Sequence, residues 1–140
     1  MSDQQSPYGV ALLRVSLGVL FLAHGLLKVL VFTPAGTVGF FESLGPPGFF
    51  AYLVMAGEIG GGLLLIAGAY TRVVALGLLP IALGATFVHL GNGWLFCAEG
   101  GGWEFPLFLT ITTLAQAAMG AGAFALRAPE LPFLPRTLQA

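Results

Sequence analysis

Charge is what this chain has least of. Asp, Glu, Lys and Arg make up 8% of its 140 residues, against roughly 25% in a typical soluble domain. A surface so poor in charge excludes a soluble enzyme, a nucleic-acid-binding domain and a disordered tail together. Five Lys and Arg against six Asp and Glu leave a formal net charge of −1. That gives no field for a polyanion, so no nucleic-acid partner is expected. Cysteine is almost absent too. Cys97 stands alone, which excludes an internal disulfide framework, a CxxC redox pair and a zinc ribbon. What is abundant is apolar surface: 57% of residues are hydrophobic and the mean hydropathy is +0.93. The composition points to an all-α, polytopic membrane protein, with residues 1–140 as a single domain.

A membrane-crossing helix needs roughly 20 mostly apolar residues at about 1.5 Å rise each. Four stretches meet that length, at residues 8–32, 49–70, 73–90 and 105–126, and predict a four-helix up-down bundle. Pro34, Gly36, Gly39 and the run Gly45-Pro46-Pro47-Gly48 break the chain after the first span. The Thr71-Arg72 corner is so short that the second and third helices must be antiparallel neighbours. Gly100, Gly101 and Gly102 mark the third connection. No Lys or Arg precedes Arg14 and no small-residue cleavage pattern follows the first span, which is expected to stay in the mature protein.

Positive charge sets the orientation. Arg72 lies at the corner and Arg127 and Arg136 in the tail, while the other two connections hold only Glu42, Glu99 and Glu104. Both termini are therefore expected in the cytoplasm, with the protein in the cell (inner) membrane. Small residues should govern helix contacts, because lipid gives no hydrophobic reason for association. Gly18 and Gly25, Gly57 and Gly61, and Gly77 and Gly84 are the candidates, for packing within the chain or for a homo-oligomer. Pro80 is expected to kink the third span. Phe40, Phe41 and Leu44 around Glu42 suggest a short interfacial helix. Trp94, Phe96, Trp103 and Phe105 bracket the glycine-rich loop as interface anchors or as a lid.

Ionisable groups inside spans carry the functional information, since each costs roughly 2.5–3.5 kcal/mol near the bilayer centre on insertion scales. His24 lies roughly 24 Å up its helix and His89 at nearly the same height. Lys28 is one turn above His24 on the same face. Glu104 enters at the outer boundary, and Glu58 descends roughly 15 Å to near mid-membrane. Shared depth argues for one polar site in the outer half of the bilayer. The alternatives are a snorkelling Lys28, a Glu104 that answers a helix dipole, and a His24 satisfied within the bundle. Arg14 is expected to snorkel towards cytoplasmic headgroups, and Thr112, Thr113 and Gln116 to bond between helices.

The same residues carry a resemblance to the DoxX family of small membrane proteins. Arg14, Gly18, Phe21, His24-Gly25 and Lys28 match in the first helix. Ser43-Leu44-Gly45, Pro46-Pro47, Glu58-Ile59-Gly60-Gly61, Leu65, Gly68 and Thr71-Arg72 follow, with His89 and Glu104 completing the pattern between about residues 9 and 127. The family is similar to the membrane subunit of thiosulfate:quinone oxidoreductase. The resemblance implies a four-helix membrane bundle and quinone-linked redox work.

One reading joins these strands. The chain is expected to be a quinone-interacting membrane subunit or anchor of an oxidoreductase, with His24, Lys28, Glu58, His89 and Glu104 holding the ligand. His24 would bond a ligand oxygen, Lys28 would balance the carboxylates, and Glu58, paired with His24 or Lys28, would exchange a proton. A redox partner protein must supply the electron carrier. The competing class is a structural or assembly subunit whose polar cluster locks the bundle. A bis-His haem on His24 and His89 is a further option, as is a metal held by those histidines with Glu58 and Glu104.

Overall fold

The computed structural model describes residues 6–140. Regular structure among the described residues is entirely helical: α1 (Ser6–Leu30), α2 (Pro34–Ser43), α3 (Phe49–Ala67), α4 (Thr71–His89), a 3-10 turn at Leu90–Asn92, α5 (Glu104–Met119) and α6 (Arg136–Gln139). Three stretches are long and apolar enough to cross a bilayer: Ser6–Leu30, Phe49–Ala67 and Thr71–Asn92. Leu12, Leu30, Leu63 and Phe87 stand exposed on them, as side chains that face lipid should. The interfacial segment around Glu42 is the helix α2, started by Pro34 and by Thr33 Oγ1, which accepts from Gly36 N–H at 3.2 Å.

The expected fourth span is cut short. α5 ends at Met119, although the apolar run continues to Leu126. Its 16 residues rise about 24 Å, less than the roughly 30 Å of a hydrocarbon core. The membrane-length helices therefore number three among the described residues, with α5 packed beside them. Gly120 (φ 84°), Gly122 (φ 67°) and Phe124 (φ 58°) take left-handed backbone and turn the chain out of the helix.

Non-helical backbone at membrane depth persists only where its polar groups find partners in the protein. Here they do. Ala123 N–H donates to Pro7 O (2.9 Å) and Leu126 N–H to Ala67 O (3.0 Å). Arg72 Nη1 donates to the carbonyls of Ala117 (3.2 Å) and Ala118 (2.7 Å). Arg14 Nη1 donates to the Ala121 carbonyl. Arg72 thus closes the carbonyl end of α5, where the helix dipole is negative, and Arg14 holds the chain just beyond it. Arg14 does not snorkel: it is 1% exposed, with its guanidinium holding the turn that follows a helix that stops early.

The long helices pair as α1 with α3 and α4 with α5, and the corner at Gly68 (φ 77°) turns α3 into α4. Thr71 and Arg72 lie beyond that corner, in the first turn of α4. Glycine sets the α1–α3 approach. A Cβ on Gly18 would lie 2.8 Å from Gly62 O, and one on Gly62 would lie 2.7 Å from Leu22 N. Gly77 and Gly84 take no part in such contacts; a Cβ at either would meet nothing within 4 Å among the described residues. Leu17, Phe21, Leu65, Leu78, Ala82 and Leu109 form the core between the two pairs. Thr112 and Thr113 bond carbonyls of their own helix, and Gln116 Nε2 bonds Gly120 O at 2.7 Å. The hydroxyl pair that joins helices is Thr86 with Thr110, at 3.2 Å.

Candidate functional site

The polar residues at the end of the molecule opposite Arg72 separate into two arrangements. The first is an ion pair. Lys28 Nζ on α1 donates to both carboxylate oxygens of Glu58 on α3, at 3.0 and 2.8 Å. Glu58 is buried and Lys28 partly so, with side-chain exposures of 6% and 21%. Gly25 makes the pair geometrically available. A Cβ there would stand 2.7 Å from Ile59 Cγ1 and 3.0 Å from Glu58 Cβ, so only glycine lets α3 come this close. Thr37 Oγ1 on α2 donates to Lys28 O at 3.1 Å and ties the short helix to the same turn.

The second arrangement is an open cleft of about 610 Å³ lined by His24, Trp94, Phe96, Glu104, Phe105 and Phe108. His24 and Phe105 stack with ring centroids 6.1 Å apart and planes 19° off parallel. Phe96 meets Phe105 edge-on at 5.9 Å, and Trp94 meets Trp103 edge-on at 4.5 Å. The residue 93–103 loop folds over this end as a closed hairpin. Trp103 N–H donates to Gly93 O (3.0 Å) and Glu104 N–H to Trp94 O (3.2 Å). Glu104 Oε1 accepts from Phe96 N–H at 2.9 Å, so the carboxylate both lines the cleft and holds the loop. Gly102 is required there, since a Cβ would collide with the Leu95 carbonyl.

Both histidines are oriented in the same way. His24 Nδ1 lies 2.7 Å from Leu20 O and His89 Nδ1 2.6 Å from Ala85 O, each one turn back along its own helix. A carbonyl can only accept, so Nδ1 carries the hydrogen, and in the neutral ring Nε2 is left as a lone-pair acceptor. His89 does not line the cleft; it packs under the loop, with its ring 3.4 Å from the position a Gly101 Cβ would take. The five expected residues therefore divide into Lys28 with Glu58, His24 with Glu104, and His89 beneath the loop. Glu58 is committed to Lys28, and among the described residues no three His, Cys, Asp or Glu side chains come together as a metal-holding group.

The aromatic wall is what reading the polar residues alone underplays. Phe105 and Phe108 stand three residues apart on α5 and share its face, and both line the cleft with His24. The recurrence of aromatic residues on either side of the glycine run was the available signal.

Comparison with known proteins bears on the family of the chain. The DoxX family profile matches residues 9–91, which hold α1 to α4 and the Lys28–Glu58 pair but stop before Glu104. A Bacillus subtilis (strain 168) protein named "Putative oxidoreductase CatD" is 36% identical over 119 residues, covering 84% of this chain and 84% of that protein. The "Inner membrane protein YqjF" of Escherichia coli (strain K12) is 35% identical over 121 residues, covering 84% of this chain and 88% of that protein. No solved structure matches the chain significantly. With its apolar helices, its glycine-sealed α1–α3 pair and these matches, the chain belongs to the DoxX family of membrane proteins.

Proposed function

We propose that this protein is a quinone-interacting membrane subunit or anchor of an oxidoreductase, with the His24–Glu104 cleft as the head-group site in the outer half of the bilayer. The observation that carries the reading is the cleft itself: about 610 Å³, walled by flat aromatic rings with an imidazole and a carboxylate among them. Lipid-borne aromatic ligands fit such a cavity, because ring faces stack while a few polar groups fix orientation. Phe108, 65% exposed, opens one wall to lipid, the side from which a quinone would arrive. The name of the Bacillus relative is consistent with redox work. Electrons must come from a partner protein, since the chain's side chains offer acid–base and hydrogen-bonding groups. In this reading α5 and the residue 120–126 segment together complete a fourth crossing, both termini are cytoplasmic and the membrane is the inner one.

Trp94 and Trp103 are the chain's two tryptophans and both belong to the loop over the cleft. Titration of the protein in nanodiscs with decylubiquinone should therefore quench intrinsic fluorescence saturably. Phe108→Ala and His24→Ala should each raise the half-saturating concentration about tenfold. Quenching that never saturates, or that both variants leave unchanged, would reject the site.

A second reading has its own support. The Lys28–Glu58 pair joins α1 to α3 and would serve a structural or assembly subunit equally well. That reading expects intact folding without quinone binding.

A further inference from the structure

The donor and acceptor inventory of the cleft is one-sided. In its neutral form His24 presents Nε2 as a lone pair, because its Nδ1–H is engaged by Leu20 O at 2.7 Å. Glu104, as a carboxylate, only accepts; Oε1 takes the Phe96 N–H at 2.9 Å and Oε2 keeps its lone pairs. Phe96, Phe105 and Phe108 offer ring faces alone. Among the six lining side chains the indole N–H of Trp94 is the one donor. Lys28, the cation on the neighbouring turn, directs its ammonium at both oxygens of Glu58, at 3.0 and 2.8 Å, and is not part of the lining.

A quinone carries carbonyl oxygens, which accept and do not donate. Facing His24 Nε2 and the Glu104 carboxylate, it would set lone pairs against lone pairs and leave polar groups unpaired in a partly desolvated site. A hydroquinone carries two hydroxyl donors. One can donate to His24 Nε2 and the other to Glu104, while the ring lies against the aromatic wall of the cleft. We infer that the cleft selects the reduced, dihydroxy-aromatic form of a lipid-borne quinone over the oxidised form. This inference rests on the reading of the cleft as a quinone-class site and adds the redox state of its ligand. It also assigns the two polar residues as hydroxyl acceptors: His24, held by Leu20 O, and Glu104, held by Phe96 N–H.

The measurement is a pair of isothermal titrations of the full-length protein in nanodiscs, one with decylubiquinol under anaerobic conditions and one with decylubiquinone. Decylubiquinol should bind about tenfold tighter, the discrimination expected when a site built of acceptors meets a ligand that lacks donors. Glu104→Gln keeps an oxygen for Phe96 N–H and adds an amide donor, so it should bring the two affinities to within about threefold. Equal binding of both forms by the wild-type protein, or tighter binding of decylubiquinone, would overturn the selectivity while leaving the quinone site standing. Binding of neither form would overturn both. A wild-type preference that Glu104→Gln leaves unchanged would remove Glu104 from the proposal. The wild-type ratio alone decides the selectivity if that variant fails to fold.

Discussion

Lys28 and Glu58 sit thirty residues apart in sequence, yet the ammonium reaches both carboxylate oxygens, at 3.0 and 2.8 Å. The contact depends on a third residue, Gly25, whose missing Cβ lets the α3 backbone approach α1. The pair is largely shielded, with Glu58 6% and Lys28 21% exposed, between two helices long and apolar enough to cross a bilayer. Neither charge is therefore expected to exist there alone.

Removal of one partner is costlier than removal of both, because the survivor is stranded in low dielectric. Lys28→Met is expected to destabilise by about 3–5 kcal/mol, and Glu58→Lys at least as much because it sets two cations together. Glu58→Gln should be milder, since the amide oxygen can still accept from Lys28. Lys28→Met combined with Glu58→Met should recover most of the loss. Unfolding in a mixed-detergent titration reads all four. Additive effects in the double variant would place the two charges in separate, solvated environments.

The glycine positions separate into those that touch backbone and those that do not. Gly62→Ala puts a methyl 2.7 Å from Leu22 N and 2.8 Å from Gly18 O, where only a shift of the helices can relieve it. A loss of about 2–4 kcal/mol, with the α1–α3 contact loosened, is expected from overpacking that backbone must absorb. Gly77→Ala and Gly84→Ala meet open space and should be neutral or stabilising by up to about 1 kcal/mol through helix propensity. Thermal melts of the three variants make the comparison. Marked destabilisation at Gly84 would mean that the open face of α4 packs on a second copy.

Depth along a helix was legible in the sequence; angle around it was not. Matching the heights of His24, Lys28, Glu58, His89 and Glu104 gathered residues that the fold sets towards one end, and of the two partners expected for Glu58, His24 or Lys28, the one observed is Lys28. The division into pair, cleft and a His89 beneath the loop depends on which way each side chain leaves its helix, which height does not give. The early end of α5 was hidden for a different reason. Residues 120–126 read Gly-Ala-Gly-Ala-Phe-Ala-Leu, as apolar as any helix, and hydropathy does not distinguish coil from helix. What ends the helix is backbone at positive φ, with the turn beyond it held by an arginine 107 positions away. Such a side chain-to-carbonyl bond leaves no pattern in sequence, so Arg14 read as a snorkelling cation. The three long helices were legible because length and composition alone define them.

Arg14 should behave as a structural tie. Arg14→Gln removes the charge and cannot span the same reach to the Ala121 carbonyl. The residue 120–126 segment would lose one of its ties, alongside those to Pro7 and Ala67. A charge-assisted bond is worth about 1.5–3 kcal/mol, and a loss towards the lower end of that range is expected for this part-buried one. Limited proteolysis should then cut near residues 120–126, while decylubiquinone binding in the distant cleft stays within about twofold of wild type. Loss of binding with no change in proteolysis would instead make Arg14 part of the ligand site.

Cys97 tests the orientation of the whole molecule. It is the chain's one cysteine, exposed in the loop that covers the cleft, so a single thiol reports which side that loop occupies. Arg72, Arg127 and Arg136 lie away from this loop in sequence, and the positive-inside rule puts the end bearing them in the cytoplasm. A membrane-impermeant maleimide added to intact cells should therefore label Cys97, and Cys97→Ser should abolish the signal. Labelling that needs permeabilisation would reverse the topology. The His24–Glu104 cleft would then open towards the cytoplasm, and any redox partner would have to be sought on that side.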